Sequence, residues 1–306
     1  MMQVCQNILE ITGHTPIVKL NKTVQDCPAE IYAKLEMFNP SGSAKARAAL
    51  GMIEDAERKG LIKPGHIIIE PTSGNQGIGL AMVGAVKGYR VMVVMPDSMS
   101  RERQELVKAY GAEVFLSPGK DDIQGAVDLA NELLKKHADA WMPNQFANPA
   151  NPDYHSRTTA QEILKQMERI DAFVAGVGTG GTLSGIARVL KQKYSNIVIY
   201  AIEPSQSAVI SGHKPGIHKI QGIGDGFVPD NLDRQLLDGT IMVDENEAIA
   251  MTRRLAKEEG ILAGISSGAA VVAAKEIGGW LGTGKKVLTI LPDDGERYFS
   301  LKVFEG

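Results

Sequence analysis

The sequence predicts an α/β protein built as two open, twisted, mostly parallel sheets, with an active-site cleft between the two domains that carry them. Three observations support this. Strand-sized apolar runs alternate with helical patterns along nearly the whole chain. Several runs end in turns rich in glycine and hydroxyl side chains. A chain of 306 residues is also long enough for two domains, each with its own core. In folds of this kind ligands sit at the carboxyl ends of strands.

Asn39-Pro40-Ser41-Gly42 is a turn cluster. From about Ser43, Ala49, Leu50, Ile53 and Ala56 recur at helical spacing, and Gly60 stands where a terminating glycine belongs. The apolar run 67–69 leads to a helix through Leu80 and Val86, and the run 91–95 to a helix over 101–110 that ends at Gly111. The run 114–116 precedes a helix around 126–136, and 173–175 leads to a helix over 183–192. A strand over 197–202, helices over 245–259 and 267–278, and a strand over 287–291 complete the series. The stretch 143–152, rich in proline and asparagine, is the candidate boundary. It divides an N-terminal α/β domain, 1–147, from a C-terminal one, 148–306, with part of 1–40 packing on the second. No internal repeat or low-complexity segment is present.

Composition narrows the function. A formal net charge of −3, with no long basic block, argues against nucleic acid or an anionic membrane as partner. The longest apolar runs are far short of a membrane span. The N-terminus has no basic segment followed by an apolar one, so no leader peptide is expected. Cys5 and Cys27 make neither a disulfide scaffold nor a metal-ligand pattern, and the six histidines have no metal-ligand spacing. The expectation is a cytoplasmic protein with free thiols and no metal.

Lys45 is the residue of most interest. It falls in the first turn of a helix, where the macrodipole disfavours a cation and lowers the amine pKa. A lowered pKa makes a lysine a nucleophile toward aldehydes. From that segment alone, a surface lysine is the alternative. The run 173–175 enters Gly176-Val177-Gly178-Thr179-Gly180-Gly181-Thr182, whose glycines let N–H groups converge on an anion at a helix N-terminus. By itself this turn also suits a dinucleotide, with Glu203 as the ribose-binding acid, so a nicotinamide-dependent dehydrogenase is a competing reading. Thr72-Ser73-Gly74-Asn75-Gln76 offers hydroxyls, amides and helix N-terminal N–H groups suited to a carboxylate, beyond what helix capping needs. Gly264-Ile265-Ser266-Ser267-Gly268 is explained mostly by capping. Asp293 closes the last strand, where a turn aspartate is the alternative.

Together these segments resemble the fold-type II pyridoxal-phosphate enzymes, most closely the O-acetylserine sulfhydrylase (cysteine synthase) family and its cystathionine β-synthase relatives. The resemblance runs over almost the whole chain. It includes Gly13-His14-Thr15-Pro16, residues 39–47, Thr72 to Asn75, Asn148-Pro149, His155, Thr158-Thr159, residues 178–182, Gln221-Gly222-Ile223-Gly224, residues 264–268 and Gly295-Glu296-Arg297-Tyr298. It implies pyridoxal 5′-phosphate as cofactor and Lys45 as the Schiff-base lysine and α-carbon acid/base. It further implies Gly178, Thr179, Gly180, Gly181 and Thr182 as the phosphate cradle, and Asn75 on the cofactor ring hydroxyl. Thr72, Ser73, Asn75 and Gln145 become the substrate carboxylate clamp. The implied reaction is β-replacement through an aminoacrylate, from O-acetylserine and sulfide to cysteine and acetate, in a homodimer. Because the chain stops soon after the last motif, no appended regulatory domain is expected.

Four positions depart from the family pattern. Ala46 follows the lysine where Asp or Cys is frequent, Gln76 stands for threonine, Asp225 for a small residue, and Asp293 for a serine beside the pyridine nitrogen. Gln76 and Gly224 are expected to bind substrate. Asp225 is expected to act catalytically at the mouth, as a base or as a partner for an ammonium group. That opens a hydrogen-sulfide-producing alternative on cysteine: a lanthionine or cystathionine synthase, or a cysteine desulfhydrase. A serine or threonine dehydratase fits the 72–76 and 222–226 segments less well.

Overall fold

The structure is a computed structural model that describes residues 4–305; residues 1–3, part of the segment read for a leader, lie outside them. Among the described residues ten strands form two sheets. β1 (Ile17–Lys19), β2 (Glu30–Leu35), β7 (Ala172–Gly176), β8 (Val198–Pro204), β9 (Gly239–Val243) and β10 (Lys286–Leu291) make a six-stranded sheet. Its order is β1-β2-β10-β7-β8-β9, and only the β1–β2 pair is antiparallel. β3 (Ile67–Pro71), β4 (Arg90–Pro96), β5 (Glu113–Ser117) and β6 (Ala140–Trp141) make a parallel sheet in the order β5-β4-β3-β6.

β3 is buried along its whole length and β4 at all but its first residue. Uninterrupted apolar runs are therefore expected, because parallel strands are covered on both faces. α1 (Lys45–Arg58) and α2 (Asn75–Lys87) cover one face of the smaller sheet around Ile53, Ile68 and Val93. α4 (Asp122–Lys136) covers the other around Ile69, Ala126 and Ala130, and α3 (Arg101–Ala109) packs on α2. On the larger sheet, α8 (Glu245–Arg254) and α9 (Ile265–Leu281) share a core with Val174 and Val287, while α6 (Thr159–Gln166) and α7 (Gly181–Lys193) pack around Phe173 and Leu288.

Several elements lie outside the sequence reading. β1 and β2, within the first 35 residues, are not among the strands predicted from sequence; both belong to the larger sheet. The stretch read as a boundary loop runs into α5 (Ala150–Arg157), which wedges between α1 and α7. A Cβ on Gly51 would lie 2.4 Å from the Tyr154 ring, and one on Gly185 would lie 2.3 Å from the Pro152 carbonyl. Glycine on each neighbour is what lets α5 enter. The helix expected over 245–259 is α-helical only to Arg254 and continues as a wider π-type turn, Leu255–Glu259, ending at the left-handed Gly260. Among the described residues no helix is long and apolar enough to cross a membrane, and no cluster of three or more His, Cys, Asp or Glu could hold a metal.

Candidate active site

Strand ends from both sheets open onto one cleft. Lys45 is the first residue of α1, and its turn is stitched to the end of β10: the Ala44 N–H donates to the Pro292 carbonyl (2.8 Å). Behind it, Asn39 donates to Glu36 and accepts from the Gly13 N–H (2.9 Å). Burial pushes the Lys45 ammonium below its ordinary pKa; Asp225 and Asp293 act in the opposite direction, and Arg103 adds to the lowering. Desolvation, more than the helix end, is thus the main cause. Arg47, one half-turn on, is fully buried and forks onto Glu36 (2.7 and 2.9 Å) and Glu162 (2.7 and 2.8 Å). This network fixes α1 against α6 and the turn that follows β2.

The loop after β3 supplies Thr72, Ser73, Asn75 and Gln76 to the cleft wall. Gly74 has φ +128°, and a Cβ there would lie 2.3 Å from the Arg103 side chain, so only glycine fits. Gln76 is buried, and neither side-chain polar atom has a hydrogen-bond partner. Gln145 reaches the same wall from the loop after β6. Its N–H and that of Asn144 donate to the two oxygens of Glu70 (2.9 Å each), and its carbonyl accepts from Asn151 and Asn231. Glu70 is fully buried, and desolvation raises its pKa to about 8 against the pull of those two N–H donors.

The loop after β7 is a concavity stripped of side chains. A Cβ on Gly178 would lie 2.3 Å from the Gly222 carbonyl and one on Gly181 would lie 2.1 Å from Asn151 Oδ1, while Gly180 is left-handed at φ +77°. Thr179 and Thr182 put hydroxyls on the same wall, and α7 begins there with no acidic residue in its first turn. Converging N–H groups, hydroxyls and a helix N-terminus fit a phosphate.

Some expected residues stand elsewhere. Asp293 does not line the cleft. It lies behind Asn75, 1% exposed, accepting from Asn75 Nδ2 (2.7 Å) and the Tyr298 hydroxyl (2.8 Å). Asn75 is therefore held between Asp293 and Arg297, whose Nη1 donates to Asn75 Oδ1 (2.6 Å). Gly224 lines the outer mouth and not the inner cleft. Asp225 borders both. Glu203 is no ribose ligand: it is buried and accepts from Ile210 N, Ser211 N and Ser211 Oγ. Ser266, at the start of α9, and Phe146 line the cleft without having been singled out. The small-residue turn that opens α9 around Ser266 was the available signal.

The model of the family described as pyridoxal-phosphate-dependent enzymes matches residues 8–293. The chain belongs to that family. It is 56% identical over 300 residues to a cysteine synthase of Staphylococcus aureus, covering 97% of this chain and 96% of that one. The structure of an O-ureido-L-serine synthase superposes with TM-score 0.95 at 45% identity, over 99% of this chain and 96% of that one. A hydrogen sulfide-producing enzyme from Fusobacterium nucleatum superposes with TM-score 0.94 at 43% identity, over 96% of this chain and all of the other. The fold is thus the fold-type II arrangement of this family, and the cofactor is pyridoxal 5′-phosphate.

Proposed function

We propose that the chain is a cysteine synthase, which exchanges the acetoxy group of O-acetylserine for sulfide and releases acetate. The observation that carries this reading is the meeting, in one cleft, of Lys45, the 72–76 loop with Gln145, and the 178–182 loop, in a chain 56% identical to a cysteine synthase along its length.

Gly178, Thr179, Gly180, Gly181 and Thr182 would hold the cofactor phosphate, Lys45 would hold the cofactor covalently, and Asn75 would meet its ring. When bound, pyridoxal phosphate supplies the electron sink that makes an amino-acid α-proton acidic. Thr72, Ser73, Gln76 and Gln145 bind the substrate carboxylate through hydroxyl and amide dipoles. The Lys45 amine, its pKa lowered by burial, takes the proton from the α-carbon and later returns it there. Ser266 adds a hydroxyl to the wall where Asp293 was expected. In this reading the lobes divide near residue 147, with β1 and β2 assigned to the larger lobe, and the enzyme works as a cytoplasmic homodimer.

The second reading is hydrogen sulfide production from cysteine, favoured by the Asp225 carboxylate at the mouth and by likeness to the Fusobacterium nucleatum enzyme. The test is to give the purified holoenzyme O-acetylserine with sulfide, and separately cysteine with and without a second thiol. Cysteine formation far outrunning sulfide release supports the synthase; the reverse ratio replaces it with the second reading.

A further inference from the structure

His155 sits on α5 with its ring between two threonine hydroxyls. Nδ1 is 2.9 Å from Thr159 Oγ1, and Nε2 is 3.2 Å from Thr182 Oγ1. His155 and Thr159 are about one helical turn apart across the α5–α6 junction, and both are buried. The Gly185 contact with α5 brings the ring this close to α7, since a Cβ there would lie 2.8 Å from His155 Cβ.

The direction of these bonds follows from counting donors. His155 is fully buried, and its pKa is lowered to about 3 by desolvation and by the nearby Arg47 and Lys45, which outweigh Glu36 and Glu162. The ring is neutral at working pH and carries one N–H. Among the described residues the Thr159 hydroxyl has no hydrogen-bond partner except His155 Nδ1. A buried O–H left without an acceptor is costly, so Thr159 donates to Nδ1 and the ring proton resides on Nε2. Nε2–H then donates to Thr182 Oγ1. The Thr182 proton is left to point away from the ring, and Thr182 lines the cleft.

We infer that His155 is a positioning residue: with Thr159 it locks the Thr182 hydroxyl as a donor into the 178–182 loop, tuned for an anion and against a neutral ligand. The inference rests on the reading of that loop as the phosphate site. It assigns Thr159, which is buried outside the cleft lining, a share in anion selectivity.

The test compares Thr159→Val and Thr159→Ser with the parent, each stripped of cofactor and titrated with pyridoxal phosphate and, separately, with pyridoxal. In the parent, imidazole ¹⁵N shifts should report an Nε2–H tautomer for His155. Thr159→Val, losing the donor that holds the ring proton on Nε2, should weaken pyridoxal phosphate by about fivefold, as expected for the loss of one neutral hydrogen bond that fixes the Thr182 hydroxyl. Pyridoxal should bind Thr159→Val as it binds the parent, and Thr159→Ser should restore the phosphate preference. An Nδ1–H tautomer in the parent, an equal loss for both ligands, or no loss for either would overturn the inference. A parent that binds pyridoxal as tightly as its phosphate would remove the phosphate-site reading itself, and the inference with it.

Discussion

Replacing Arg47 with methionine keeps its bulk and removes a charge that two carboxylates depend on, the buried Glu36 and the partly buried Glu162. Glu36 is fully buried and its carboxyl is held at about 2, well below the ordinary 4.5; burial alone would raise it, and the Arg47 charge and hydrogen bonds reverse that. At about 1.4 kcal/mol per tenfold change, that lowering contributes about 3 kcal/mol of stability at neutral pH. The figure agrees with the roughly 3–5 kcal/mol lost when one member of a buried ion pair is removed. The sign follows from the direction of the shift. In the parent this contribution is complete above the unfolded pKa and is lost as pH falls toward 2. In Arg47→Met, burial dominates, Glu36 takes up a proton, and its folded-state pKa rises above the unfolded one. The variant then loses stability as pH rises, where the parent gains nothing further from this group. Urea unfolding of both holoenzymes at saturating cofactor, from about pH 5 to 8, measures the difference and cancels contributions common to both. A difference under about 1 kcal/mol at neutral pH, or one that does not grow with pH, would refute the account of the network.

Three other perturbations follow from the site. Glu70 has its pKa raised to about 8, so its contribution is present below 4.5 and fades as pH rises through 8. Glu70→Gln should abolish that decline in unfolding experiments and, by leaving one of the Asn144 and Gln145 N–H groups without an acceptor, raise KM for the amino-acid substrate more than it lowers kcat. Gln76→Thr removes two buried amide atoms that have no partner and should stabilise the substrate-free protein by about 1–2 kcal/mol, read as a higher Tm. Asp225→Ala removes a carboxylate that holds the Lys45 pKa up. The pH midpoint for cofactor uptake by stripped protein should therefore move to lower pH, and the ratio of cysteine formed to sulfide released should change; an unmoved midpoint would separate Asp225 from Lys45.

Much of this could be read from sequence because the informative features are local. The runs that became β3, β4 and β7 are apolar throughout, and the one in β10 is interrupted only by Thr289, since both faces of each strand are covered. Lys45 and the 72–76 and 178–182 loops stand out because their density of glycine, hydroxyl and amide groups exceeds what a helix cap uses. What escaped depends on partners far along the chain. β2 carries Lys34, and a buried lysine reads as a strand residue only once Glu162 (2.9 Å) is known to face it. α5 was hidden by Pro152, yet a proline in a first helical turn costs little. Asp293 was assigned to the cleft because it follows a strand, but Tyr298 and Asn75, the latter 218 positions away, hold it one layer back.

That retreat of Asp293 bears on how the cleft handles charge. Among the residues that line the inner cleft only Lys45 and Asp225 are ionisable; the arginines stay behind the wall, Arg47 on Glu36 and Glu162, Arg297 on Asp294 and Asn75. In the proposed function, a phosphate and a carboxylate entering the cleft would be met by N–H groups, hydroxyls, amides and the N-termini of α2 and α7. Dipoles of this kind stabilise an anion without neutralising it, and they leave a lysine amine free of competing cations on the lining. Buried polar contacts fix those dipoles in place by joining distant parts of the chain: the Arg47 ion pairs tie α1 to α6 and to the turn after β2, and the Asn75–Asp293 hydrogen bond ties α2 to the end of β10. The charged residues thus hold the cleft walls together, while the chemistry falls to an amine kept short of its usual proton affinity.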